Sequence, residues 1–231
     1  QKVPNREARG SARDALASKA LFGGEERKLF NRVAEYGKCY WYDLTDPKWR
    51  AIRINRVGWK IIEEPPILFR RYAHQEAQVE PKEVNNPIEE LKKLFQFIHI
   101  EEENNQLLII VYLISCYIPD FPHPILVLHG EKGSGKTIAF KILRNLIDPS
   151  IADVMSFTRD GMELIQKIAH NWACYFDNIT SIPAWEQDSL CRACTGQGFS
   201  KRKLYTNEED IVFNFQRCIA LNGINLTVTR S

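Results

Sequence analysis

The stretch ILVLHGEKGSGKT, residues 125–137, limits the possible folds more than any other part of the chain. An apolar run reads as a buried strand and passes directly into a loop with three glycines that ends Gly-Lys-Thr. Gly130, Glu131, Lys132, Gly133, Ser134, Gly135, Lys136 and Thr137 match the spacing G-x-x-x-x-G-K-[ST] in full. Glycines let successive backbone N–H groups turn toward phosphate oxygens, and the helix expected to follow adds its positive N-terminal end. In such a loop Lys136 reaches the terminal phosphates and the Thr137 hydroxyl ligates Mg²⁺, with Ile138 continuing the contact surface. The segment is therefore expected to run strand, phosphate-binding loop, helix.

A cradle of this kind needs an acidic group at the end of a neighbouring strand, to order the water shell of the metal. ACYFDN, residues 173–178, supplies it: apolar residues, then Asp177 and Asn178. Asp177 is the expected Mg²⁺ partner, with Thr137. Where a second carboxylate could polarise an attacking water the chain has Asn178, which leaves the general base open. Asp177 covers both tasks, a carboxylate comes from elsewhere or from a neighbouring subunit, or turnover is slow. RCIALNG, residues 217–223, is a further buried strand ending in Asn222, which in isolation reads as a turn residue. In order behind the other two elements it reads as a sensor of the terminal phosphate.

Between these strands lies LCRACTGQGFSKRKLYTNEED, residues 190–210. Gly196 and Gly198 allow a tight turn, and Lys201, Arg202 and Lys203 cluster on what reads as a hairpin. By themselves three adjacent cations are a solvated basic face. The net charge of +2 excludes a global basic field, so any nucleic-acid binding must rest on local clusters of this kind.

The rest of the chain sets the frame. Hydrophobic residues at 44% and charged residues at 26% suit a folded soluble protein. The apolar stretch at 107–118 is too short for a membrane span and is expected to be a buried helix. The chain is accordingly expected to be soluble and cytoplasmic. The six cysteines lie in apolar runs and read as reduced thiols; Cys191 and Cys194 read as helical neighbours on a buried face, since no second pair completes a zinc site. Residues 5–36 carry helical periodicity with Gly37 as a stop, and 39–71 read as a small antiparallel sheet. Trp41, Trp49 and Trp59 could stack on bases but are expected to pack within that sheet, and FRR at 69–71 either touches nucleic acid or is solvated. Asn86 caps a helix that begins at Pro87. A strand near 152–157, and helices over 137–147, 160–170 and 184–195, complete an alternating pattern that argues an α/β sheet. The expected organisation is an N-terminal α+β region at 1–74, a linker at 75–87, a helical segment at 88–118 and a core at 119–231. The abrupt stop at Ser231 predicts that the core continues beyond it.

The phosphate loop, the strand ending in Asp177, TGxG with a basic segment and Leu-Tyr, and the strand ending in Asn222 resemble, in that order, the superfamily-3 helicase ATPases. The match is closer to the primase-helicase ATPases of viruses, phages and mobile elements. LIDP, FDNIT, LCRACTG and the segment YDLTDPKWRAIRINRVGWKIIEEPPILFRR look like parts of phage-type ATP-binding proteins. The resemblance implies an α/β, P-loop, AAA+-like ATPase core using ATP and Mg²⁺. It implies a hexameric ring on single-stranded DNA, working with a primase or another replication protein. Lys136, Asp177, Asn178 and Asn222 take the catalytic positions, and Lys201, Arg202 and Lys203 line a central pore. The arginine such rings supply in trans is carried over to Arg230, with Arg192 and Arg217 as weaker matches. No primase motif is present. Three activities are compatible with this reading: a DNA motor, an ATP-dependent assembly switch and a small-molecule phosphotransferase. The last lacks a recognisable lid.

Overall fold

Why the chain folds as it does is clearest at Arg32, whose side chain is fully buried although it carries a charge. In the computed structural model, which describes residues 5–158, 160–202, 210–213 and 215–223, Arg32 stands where the antiparallel sheet meets the end of the helix that follows the glycine loop. The element order is α1 (Arg6–Gly23), β1 (Leu29–Phe30), β2 (Val33–Tyr36), β3 (Cys39–Asp43), β4 (Ala51–Asn55), β5 (Gly58–Ile62), β6 (Leu68–Phe69), α2 (Pro87–Lys92) and α3 (Glu103–Ser115). There follow β7 (Leu126–His129), α4 (Lys136–Ile147), α5 (Gly161–His170), β8 (Ala173–Ile179), α6 (Ala184–Thr195), β9 (Phe199–Arg202), β10 (Asp210–Phe213) and β11 (Cys218–Gly223). The fold is mixed α/β, with a four-stranded antiparallel sheet β2-β3-β4-β5 and a three-stranded parallel sheet β7-β11-β8.

The parallel sheet is covered on both sides, so the central strand β11 and its neighbour β8 are apolar up to their carboxyl ends and sort those residues by alternation. Ala173, Tyr175, Cys218 and Ala220 face a cluster built with Phe140, Leu143 and Ile147 of α4 and Ile109, Tyr112 and Leu113 of α3. Cys174, Phe176, Ile219 and Leu221 face the opposite cluster, with Leu164 and Ile168 of α5 and Leu190, Ala193 and Cys194 of α6. The first cluster also contains Val33, Tyr42, Leu44 and Ile52, so the antiparallel sheet shares a core with the parallel one.

Arg32 ties the layers together. Its Nε donates to Asp148 Oδ1 at 2.7 Å, and its remaining donors reach Thr45 Oγ1 and the carbonyls of Asp43, Glu76 and Pro149. All five N–H groups of the guanidinium are therefore matched by acceptors, which a buried charge requires. The other oxygen of Asp148 accepts the backbone N–H groups of Trp172 and Ala173 at 3.0 and 3.1 Å. Asp43, also buried, is held by Arg71 through Nη2 at 2.6 Å and Nε at 2.9 Å, and Arg71 lies over the Trp49 ring.

Several expectations are corrected. The helix expected through residue 36 ends at Gly23, and Leu29–Phe30 and Val33–Tyr36 are strands on either side of a bend at Arg32. Val33 and Ala34 are needed in two cores at once, which the two faces of a strand supply. Gly37 is no helix stop: with Lys38 it forms the two-residue turn of the β2–β3 hairpin, both at φ near +60°. The apolar helix α3 is buried along one side only, and Leu107, Leu108, Val111 and Ile114 are exposed. The strand expected at 152–157 reduces to a single bridge between Met155 and Phe176. Cys194 is buried but Cys191, three residues earlier on α6, is exposed. Trp41 packs as expected, whereas Trp49 and Trp59 are 57% and 40% exposed.

Other local readings hold. Asn86 caps α2 through Glu89 N, Pro87 opens that helix, and residues 39–62 form the antiparallel hairpins. Residues 76–86 carry neither helix nor strand, yet they are pinned: Gln78 N donates to Leu44 O, and its amide reaches the carbonyls of Asn145 and Leu146 at the end of α4.

Arg32→Ala leaves Asp148 buried without its countercharge and is expected to cost about 3–5 kcal/mol. In urea denaturation the midpoint should fall while the slope stays unchanged. A loss within 0.5 kcal/mol of zero would mean that the junction is not held by this pair.

Candidate functional site

All three parallel strands end on one edge, and it is at the carboxyl ends of parallel strands that open α/β sheets bind ligands. β7 leads into the glycine loop, β8 ends near Asp177, and β11 ends at Asn222 and Gly223. Although β11 is last in the chain, it lies between the other two, with Asn222 level with Leu128 and Leu221 level with Phe176. That order puts the Asn222 side chain between the loop and the acidic strand.

The loop conformation depends on glycine. Gly130, Gly133 and Gly135 have φ of +156°, +85° and +80°, and Gly135 is the residue from which α4 starts. Lys136 folds back over the loop: its Nζ donates to Gly130 O at 2.9 Å, Glu131 O at 2.7 Å and Ser134 Oγ at 3.2 Å. All three of these partners are uncharged, so the ammonium charge is available to an anion. Across the cleft Asp177 gathers three donors. Thr137 Oγ1 donates to its Oδ2 at 2.8 Å, while Asn222 Nδ2 and Asn178 N donate to its Oδ1 at 2.6 and 2.8 Å.

These groups line a cleft of about 510 Å³, together with Lys132, Gly133, Ser134, Gly135, Ile138 and Gly223. That volume is in the range of small-molecule sites. Asp177 is the one carboxylate among the described lining residues. Asn178 is exposed and sits at φ +56°, where β8 loses register with β11, a conformation asparagine tolerates better than most residues. Oxygen donors from Thr137 and Asp177 suit a hard cation such as Mg²⁺, which normally takes one or two protein ligands and completes its shell with water and phosphate. The uncharged partners of Lys136 and the position of the glycine loop at the N-terminus of α4 suit a phosphate chain.

The structure thus brings together Lys136, Thr137, Asp177, Asn178 and Asn222 with the loop residues. Of the other expected site residues, those that are described do not line the cleft. Lys201 and Arg202 are on β9, which pairs antiparallel with β10 in the register Lys201 to Ile211 and Arg202 to Asp210. Lys203 and Arg230 lie outside the described residues. Arg192 is on α6, paired with Asp188 at 2.9 Å. Arg217 is a correction: it stands at the start of β11, far from the cleft end of that strand. Its guanidinium caps the last turn of α5 by donating to Ile168 O and Ala169 O, and it packs against Trp172 and Phe215. A side chain so committed cannot serve a neighbouring subunit. The hub role of Asp177 toward both Thr137 and Asn222 could not be read from the sequence, because it depends on β11 being inserted between strands that precede it.

Residues 88–231 match the model of the family described as actinomycete integrative conjugative element replication protein. This is more than half of the chain, and the protein belongs to that family. Among curated proteins no match was found. Among solved structures, the A-form apo structure of the NrS-1 C-terminal region aligns at 11% identity and a TM-score of 0.44, covering 92% of this chain and 48% of that one. The A-form apo structure of the same region bounded at 305–718 aligns at 12% identity and a TM-score of 0.40, over 83% and 56%. The chain spans about half the length of these two, and likeness at this level carries no functional assignment. Among the described residues no helix is long and apolar enough to cross a membrane.

Gly135→Ala adds a Cβ in open space but forces it into a left-handed backbone. The expected cost is about 1–2 kcal/mol of stability, read as a fall in thermal midpoint. An unchanged midpoint would show that the loop conformation described here is not the one adopted in solution.

Proposed function

We propose that the protein is an ATP-hydrolysing motor of mobile-element replication that acts on single-stranded DNA as a ring of identical subunits. One observation carries the reading. A glycine loop with an uncompensated lysine meets, at the carboxyl edge of a parallel sheet, an aspartate, Asp177, bonded both by the Thr137 hydroxyl and by the Asn222 amide on an inserted strand. Membership of a replication-protein family supports the biological setting.

In this reading the backbone of residues 130–135 and Lys136 hold the phosphate chain of ATP. Thr137 and Asp177 hold Mg²⁺, which when bound neutralises charge on the transferring phosphoryl group. Asn222, already bonded to Asp177, senses whether the terminal phosphate is present. Lys201, Arg202 and Lys203 carry the DNA backbone on the β9–β10 hairpin, and a trans arginine, assigned to Arg230, completes the cleft from the next subunit. Hydrolysis changes what Asn222 contacts at one end of β11, while the hairpin joins the chain just before the other end.

A second reading is favoured by the single carboxylate in the cleft. With Asn178 where a base could stand, ATP binding could serve as an assembly switch with little turnover.

The test is ATP hydrolysis with and without oligo(dT). Stimulation by DNA is expected, with loss of activity by at least a factor of about 100 in Lys136→Ala and a comparable loss in Asp177→Asn. ATP-dependent assembly without stimulated turnover would select the switch. Hydrolysis that ignores DNA and survives Lys136→Ala would end both readings.

A further inference from the structure

A second concavity, of about 640 Å³, lies at the opposite edge of the parallel sheet, where β11 begins and α5 ends. Its lining includes Lys28, Arg70, Tyr72, His170 and Arg217, with Asp120 as the one acidic residue among those described. The segment Phe69-Arg70-Arg71 runs beside it, and the structure separates the roles of those three residues. Phe69 is buried, Arg71 is bound to Asp43, and Arg70 is exposed with its guanidinium 4.9 Å from the centroid of the Tyr72 ring. Tyr72 is in turn stacked on His170 at 4.4 Å, which fixes the platform beneath Arg70. Lys28 lies 4.9 Å over Phe30 in the same manner. Neither Lys28 nor Arg70 has a carboxylate partner among the described residues, whereas Arg27, Arg50 and Arg71 nearby in sequence each have one. Burial, and after it the nearby Arg70, hold the His170 pKa below its usual value, so that ring is neutral at pH 7 and leaves the cations to define the field.

The position of the cavity gives it a partner. Thr195 and Gly196, which precede β9, line it, and so do Phe215, Gln216 and Arg217, which follow β10. The basic hairpin therefore leaves from and returns to the rim of this cavity. We infer that the cavity is a second contact for single-stranded DNA, continuous with the β9–β10 hairpin, in which Lys28 and Arg70 take backbone phosphates. A recess of this volume is in the range of small-molecule sites, which suits one or two unstacked nucleotides of a single strand and not a duplex. The inference rests on the DNA-binding part of the proposed function but not on hydrolysis.

The test is anisotropy of fluorescein-labelled oligo(dT) across a salt series without nucleotide, on the full chain. Three proteins are compared: the unaltered one, Lys28→Ala/Arg70→Ala, and Lys201→Ala/Arg202→Ala/Lys203→Ala. Both altered side chains of the double variant are exposed and remote from the cleft, so its basal ATPase should be unchanged. Binding in the double variant should weaken about tenfold at 0.1 M salt, and the log–log salt slope should shrink by about 1.4, two phosphates at about 0.7 each. An unchanged slope in that variant beside a reduced one in the hairpin variant overturns the cavity and leaves the hairpin. A reduced slope with hydrolysis that ignores DNA keeps the cavity and removes the motor. Equal loss for duplex of the same length, or displacement of oligo(dT) by millimolar inorganic phosphate, overturns the assignment to a single strand.

Discussion

The buried pair of Arg32 and Asp148 is the constraint on which the remaining geometry depends. Asp148 follows the last residue of α4 and accepts hydrogen bonds from Trp172 and Ala173, where β8 begins. The other ends of those two elements carry Lys136, Thr137 and Asp177. One carboxylate, neutralised by one guanidinium, thus sets the relative position of α4 and β8 from the end opposite the cleft. The same guanidinium binds the antiparallel sheet and the strap at Glu76. A buried charge pair is seldom a net source of stability against an apolar alternative. Here its value is geometric, because five directed hydrogen bonds admit one arrangement where an apolar contact would admit several.

β11 is the second structural link. It is buried along its whole length and runs from the aromatic and basic cavity beside Arg217 to Asn222 in the cleft. Six residues of strand span roughly 17 Å. A strand hydrogen-bonded on both sides is stiff, so a small change in the contacts of Asn222 has a direct route to the segment from which the basic hairpin returns. Under the proposed function, β11 is the element that would join the two sites.

Much of the parallel half was legible in the sequence because its signals are local. The glycine loop, the helix that follows it and the apolar strands at 173–177 and 218–222 follow from residue types at fixed spacing. The misreadings share a cause, which is tertiary demand on an ambiguous pattern. Residues 25–36 have helical periodicity, but Val33 and Ala34 serve two cores and Arg32, at φ +61°, serves as the buried junction. The apolar run of α3 reads as a buried helix, but hydropathy does not say how many sides have neighbours, and one side is exposed. The insertion of β11, and with it the convergence of Thr137 and Asn222 on Asp177, is a property of strand order that no local pattern encodes. Arg70 and Arg71 are adjacent and chemically identical, and only the position of Asp43 distinguishes them.

The central claim is that occupancy of the cleft and grip on DNA are one equilibrium, joined through β11. The most direct measurement is the affinity for oligo(dT) in the presence of a non-hydrolysable ATP analogue and in the presence of ADP. The account predicts a difference of about 5–150-fold between the two nucleotide states, matched by the same factor in nucleotide affinity with and without DNA, and absent in Lys136→Ala. Equal DNA affinity in both states, with both nucleotides shown to bind, would contradict it.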